Sequence, residues 1–220
     1  KYVEKTDEEI SLTEEMVRTT LWMKSRYVCR YIDAVKCFTP AGSKAKKKAR
    51  KDPFEGRQGE RSLVEALTEQ QQEALERINR AVENDVHDRF LLHGVTGSGK
   101  TEVYIRAAEA VLRRGKRVII LVPEISLTSQ IIDRFIGRFG CEEIAVLHSR
   151  LSLGERYDQW KKIRDGEVKI VIGARSAVFA PLERIGLIVV DEEHETTYKS
   201  DYTPKYDTVE VAIKRLKDAD

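Results

Sequence analysis

The sequence predicts a doubly wound α/β domain on a mostly parallel sheet, preceded by a small helical segment. Three observations carry this prediction. From residue 63 onward, short apolar runs alternate with amphipathic stretches of helical length. Such alternation implies βαβ crossovers. The apolar runs are nearly continuous, as strands covered on both faces must be. A glycine-rich turn joins the first apolar run to the first long helix after it.

The elements follow in chain order. Residues 7–38 read as helical, with Leu12, Met16, Thr19 or Thr20, and Met23 at helical spacing. Ser11 to Glu14 fits an N-terminal cap, and Glu14 and Glu15 supply an acidic first turn. A shorter segment over 27–38 ends before Pro40. Residues 41–62 then read as a basic linker, rich in lysine and poor in large apolar groups. On a DNA path it would add salt-sensitive affinity. Residues 63–220 form the main domain. Thr68 precedes a helix over 69–82, with Ala74, Leu75, Ile78 and Val82 on one face. Strands are expected at 90–93, 118–122, 144–147, 169–172 and 187–190, and helices at 100–114, 125–139 and 152–165.

Composition narrows the class. The formal net charge is only +2, although 35% of residues are charged. Such a balance does not by itself announce a nucleic-acid binder. Cys29, Cys37 and Cys141 form no C-x-x-C pair, which argues against a disulfide framework and a structural zinc site. No apolar stretch is long enough to span a bilayer. A cytoplasmic protein without membrane contact is the expectation. The chain opens on Lys1 rather than Met, which suggests a fragment.

Two motifs carry chemistry. Gly94, Val95, Thr96, Gly97, Ser98, Gly99, Lys100 and Thr101 complete the pattern G-x-x-x-x-G-K-T between a strand and a helix. Glycines let such a loop turn tightly with its amides inward, and the helix N-terminus adds positive potential. Lys100 should reach the β- and γ-phosphates of ATP, and the Thr101 hydroxyl should bind Mg²⁺. The second motif is Asp191, Glu192, Glu193 and His194, directly after the strand at 187–190. In a doubly wound sheet ligands bind beyond the carboxyl ends of the strands. Asp191 can therefore hold the nucleotide's Mg²⁺. Glu192 can orient or deprotonate the attacking water. Alone, this acidic run would read as a solvated loop; with a phosphate loop upstream it reads as hydrolytic.

The D-E-x-H pattern at residues 191–194 resembles motif II of superfamily 2 helicases. Further strings are similar to the PriA family of replication-restart helicases: Leu67 to Ala74, Leu121 to Gln130, His148 to Ser152 with Glu155, Arg156 and Trp160, and Ile172 to Pro181. The resemblance spans residues 67–206. It implies a RecA-like first lobe of a 3′-to-5′ DNA helicase, monomeric, acting with ATP and Mg²⁺ on forked or single-stranded DNA beside replication-restart proteins. It implies that Gln71 reads the adenine edge, that Ser126, Thr128, Arg175 and Ser176 face DNA, and that His194 couples the sites. Helix capping by Ser126 and an intradomain ion pair for Arg175 are the alternatives. Trp160 and Phe179 could stack bases or lie in the core. Residues 1–40 resemble the end of that family's N-terminal DNA-binding domain. The second lobe, its arginine finger and the family's zinc-binding cysteines are absent from these residues. Pro204, Lys205, Tyr206, Asp207, Thr208 and Val209 depart from the family's Pro-Arg-Tyr-His-Ala-Arg string. A phosphotransferase or a regulatory nucleotide-binding module also accounts for a phosphate loop, though a phosphotransferase has no need of the Asp-Glu pair. The isolated chain is expected to bind ATP and to hydrolyse it weakly.

Overall fold

The computed structural model describes residues 11–40, 59, 66–95 and 97–219. The expected linker lies almost entirely outside the described residues, as do residues 7–10 of the first helical run.

Among the described residues, four strands form one parallel sheet: β1 (Arg117–Leu121), β2 (Ile144–Leu147), β3 (Ile170–Gly173) and β4 (Ile185–Val190). Their order is β2-β3-β1-β4, so β1 is central, with β3 on one side and β4 on the other. Each strand falls within two residues of its expected place. Alternate β1 residues serve opposite faces. Val118 and Ile120 join one apolar cluster with Tyr104, Phe135 and Ile136, while Ile119 and Leu121 join another with Met16, Phe38 and Val211. That period of two is what a strand buried on both faces requires.

The first face is covered by α4 (Lys100–Arg113) and α5 (Ser129–Phe139), and α3 (Glu69–Glu83) packs on α4 through Leu75, Val103 and Ala107. Thr68 caps α3 in a reciprocal box with Gln71, which stops the chain from unwinding there. The opposite face is covered by α1 (Glu14–Arg26), α2 (Tyr31–Phe38) and α7 (Thr208–Asp218). Helix α6 (Leu153–Arg164) sends Ile163 into the same cluster and begins with a capping box between Ser152 and Glu155.

Several expectations are corrected. The expected second segment over 27–38 starts as α2 only at Tyr31, because Val28 has a φ of 48° that cannot belong to a helix. Within the expected cap over 11–14, Thr13 is the residue that caps α1. Helix α5 starts at Ser129 instead of 125, because the amides of Ser126 and Leu127 both turn back to the Pro123 carbonyl. Residues 90–93 form no ladder. Phe90 and Leu91 are 43% and 83% exposed, while Leu92 alone packs near Leu75 and Leu187. Apolar sequence reports burial, whereas a strand also needs a neighbour, and here the outer edge of β4 has no paired strand among the described residues. Helix α7 has no counterpart in the sequence reading. Its signal was the Asp207 side chain, which accepts from the amides of Val209 and Glu210.

Candidate functional site

The carboxyl ends of β1 and β4 lie side by side, and the Asp191 amide donates to Leu121 O at 2.8 Å. The acidic run therefore leaves the sheet beside the central strand. The start of α4 faces it across a cleft of about 360 Å³. Gly97, Gly99, Lys100, Thr101, Glu102, Ile105, Arg134, Arg138, Asp191 and Glu192 line this cleft.

The loop at 94–101 opens α4 as expected but follows no strand among the described residues, and Thr96 lies outside them. Gly97 and Gly99 adopt φ of 79° and 81°, a region that costs other residues strain. Space beside Gly97 is open, and Gly99 is the N-cap of α4 with no side chain bonded to the helix amides. Those amides and the helix dipole make an anion cradle. Lys100 Nζ lies over the loop, donating to Gly94 O at 2.7 Å and Val95 O at 3.1 Å. An ammonium has three donors, so it can serve the loop and a phosphate together.

The acidic side is held rigidly. Asp191 Oδ1 accepts from the Glu192 amide at 3.1 Å, and its Oδ2 lies 3.2 Å from the Tyr104 hydroxyl. The Tyr198 hydroxyl donates to Asp191 O at 2.7 Å. Burial first, then the Asp191 carboxylate, pushes both tyrosines above their ordinary range, so they remain donors at neutral pH. Glu192 has φ of 50°, an unfavourable backbone for a side chain of its kind. His194 is exposed, with Nε2 3.7 Å from Glu192 Oε2.

This donor set suits a magnesium nucleotide. Lysine, two arginines and helix amides offer positive potential for phosphates, while the Thr101 hydroxyl and the Asp191 carboxylate offer hard oxygen to a divalent cation. Sequence reasoning missed Arg134, Arg138 and Tyr104. Arg134 and Arg138 sit on an amphipathic helix where charge reads as solvent-facing, and Tyr104 reads as core. Arg138 is also paired with Glu109.

The remaining candidates are placed as follows. Gln71 is the glutamine that touches the loop: its Oε1 accepts from the Thr68 amide and its Nε2 donates to Ser98 O, both at 2.9 Å. Gln72 instead bonds Glu76 within the helix. Ser126 is half-buried in a turn and caps no helix, whereas Thr128 is the exposed N-cap position of α5. Arg175 forms no pair with the acidic run. It donates to the carbonyls of Thr197 and Lys199 and lies 5.8 Å over the Tyr206 ring. Ser176 beside it is exposed. Trp160 and Phe179 are core residues, 5% and 3% exposed. The Trp160 indole donates to Phe38 O at 3.0 Å, and Phe179 packs edge-on against Phe38 and Tyr206.

The family described as the type III restriction enzyme, res subunit, matches residues 65–218. Replication restart protein PriA of Bacillus subtilis (strain 168) is 53% identical over 167 residues, covering 76% of this chain and 21% of that protein. The protein of the same name in Treponema pallidum (strain Nichols) is 42% identical over 214 residues, 97% of this chain and 32% of its own length. That of Rickettsia felis (strain ATCC VR-1525 / URRWXCal2) is 35% identical over 212 residues, 96% of this chain and 31% of its own. The chain thus spans between 21% and 32% of the length of these relatives.

Proposed function

Because the chain belongs to the family of the type III restriction enzyme res subunit, we propose that it is the ATP-binding first RecA-like lobe of an ATP-dependent 3′-to-5′ DNA helicase acting in replication restart. One observation carries this reading. Lys100 and Thr101, and Asp191 and Glu192, come from opposite halves of the described domain and line one cleft at the carboxyl end of the sheet. Similarity to replication restart proteins supports the biological setting.

In this reading Lys100 and the loop amides bind the phosphates. Thr101 and Asp191 hold Mg²⁺, which when bound offsets charge on the phosphates. Glu192, on the cleft wall, takes the proton of the attacking water. His194 couples that carboxylate to the exposed surface. Gln71, anchored on the loop at Ser98, brings the start of α3 to the adenine side. Ser126, Thr128, Arg175 and Ser176 follow the carboxyl ends of β1 and β3 and serve as DNA contacts. Residues 1–40 end an N-terminal DNA-binding region, residues 41–62 are a basic linker, and residues 63–220 are the motor lobe. The protein works in the cytoplasm as a monomer, on forked or single-stranded DNA, with other replication-restart proteins.

Motor ATPases of this kind complete their site with a second lobe. The isolated chain therefore binds ATP, hydrolyses it slowly and unwinds nothing. The test is ATP turnover with and without forked or single-stranded DNA, on this chain and on a version extended by a second lobe. DNA stimulation of the extended version is expected. Phosphate transfer to a small acceptor without any response to DNA overturns the motor in favour of a phosphotransferase. Nucleotide binding without turnover in the extended version leaves a regulatory module.

A further inference from the structure

The hydroxyl of Tyr104 bridges two groups that approach the cleft from different elements. Tyr104 sits one helical turn after Thr101 on α4, and its oxygen lies 3.3 Å from Thr101 Oγ1 and 3.2 Å from Asp191 Oδ2. Its ring is 6% exposed and stacks on Phe135 with centroids 6.3 Å apart. Phenylalanine would fill that stack equally well. A buried hydroxyl is costly unless its hydrogen bonds are made. Here both of its partners belong to the cleft.

The proton count gives the bridge a direction. A carboxylate accepts only, so the single phenolic proton goes to Asp191. The Tyr104 oxygen can then accept from Thr101, whose hydroxyl proton turns inward and whose lone pairs turn toward the cleft. Asp191 Oδ1 is already fixed by the Glu192 amide. One hydroxyl therefore sets both the separation and the orientation of two oxygens, one from α4 and one from the end of β4.

We propose that Tyr104 is a positioning residue for the divalent cation, aligning Thr101 and Asp191 so that the nucleotide complex takes up Mg²⁺ at low concentration. This rests on the nucleotide-site reading above. Tyr104 itself touches neither cation nor nucleotide.

The experiment compares the unaltered chain with Tyr104→Phe. Binding of a fluorescent ATP analogue is measured in EDTA and then across a Mg²⁺ titration, with thermal melting as the check on folding. Partners that orient metal ligands typically change metal affinity by roughly 10- to 100-fold when removed. The expected result is equal affinity in EDTA and a half-saturating Mg²⁺ concentration raised by about tenfold or more in Tyr104→Phe. Equal Mg²⁺ dependence in both proteins overturns the proposal and leaves the nucleotide site standing. Absence of nucleotide binding by the unaltered chain overturns both.

A second measurement needs no substitution. In tyrosine-labelled chain, the assigned Tyr104 ring resonances should shift when Mg²⁺ is added to the nucleotide complex, and not when nucleotide is added in EDTA. Resonances indifferent to Mg²⁺ overturn the proposal even if Tyr104→Phe does not fold.

Discussion

Lys100 and Arg215 both hold backbone carbonyl oxygens, on opposite faces of the sheet. Lys100 is half-buried at the cleft and donates to Gly94 O and Val95 O, both on its own loop. Arg215 has no exposed surface. It donates to Val178 O at 2.6 Å and Ala180 O at 2.9 Å, and it forms a two-pronged pair with Glu15 at 2.9 and 2.8 Å. Its guanidinium also lies 5.3 Å over the Phe38 ring. The contrast lies in saturation. A rigid fork with every prong engaged is a structural fixture. A flexible ammonium on a glycine-rich loop can exchange its acceptors for phosphate oxygens. One face is closed by its charge, and the other is opened by it.

The comparison breaks hardest at Arg215. Arg215→Ala leaves Glu15 and two carbonyls without their buried donor, and removal of one partner of such a pair costs roughly 3–5 kcal/mol. Urea unfolding should show that loss. Retention of the unaltered midpoint would put the guanidinium in the same exchangeable class as Lys100. Glu192→Gln is the next largest effect, in turnover rather than stability. Removing a general base slows a reaction by at least about 100-fold. Single-turnover hydrolysis should fall by that order while nucleotide affinity is kept; normal hydrolysis would move the base elsewhere. Lys100→Ala should weaken ATP by roughly tenfold to 100-fold, as the loss of a charge-assisted hydrogen bond does. Its unfolding midpoint should barely move, and a large drop would contradict the exchangeable role.

The smallest effect concerns the Arg215 face at its rim. Glu210 is held below the usual carboxylate range, first by its hydrogen bond from Arg26 and also by the Tyr27 hydroxyl at 2.9 Å. A depressed carboxylate contributes stability above its unfolded pKa and loses it as pH falls through the folded one. Glu210→Gln should therefore melt slightly lower than the unaltered chain at neutral pH, with the gap closing in acid. A gap that widens in acid would reverse the sign of the interaction.

Much of this was legible in the sequence. The phosphate loop and the acidic run are contiguous strings whose chemistry needs fixed residues at fixed spacing. The four sheet strands showed through their continuous apolar runs. What remained hidden depended on partners distant in sequence. Residues 90–93 are apolar enough for a strand but make no ladder among the described residues. Tyr104 looked like any core aromatic until its hydroxyl was found beside Asp191. Arg134 and Arg138 looked like the wet side of a helix, and only the position of α5 against the loop turned them toward the cleft. Arg175 forms no ion pair with the acidic run and donates instead to the carbonyls of Thr197 and Lys199, acceptors that carry no sequence signature.

The pair between Glu15 and Arg215 joins residues 200 positions apart. Contacts of such separation form against the largest loop-closure entropy and slow folding accordingly. Translation makes α1 and α2 well before α7, the helix that seats them on the sheet. Until then Met16, Met23 and Phe38, all under 2% exposed in the finished fold, have no final place to be buried. The nascent chain thus carries an apolar helical pair through the synthesis of all the residues between α2 and α7, a natural substrate for chaperones that hold apolar surface until α7 arrives.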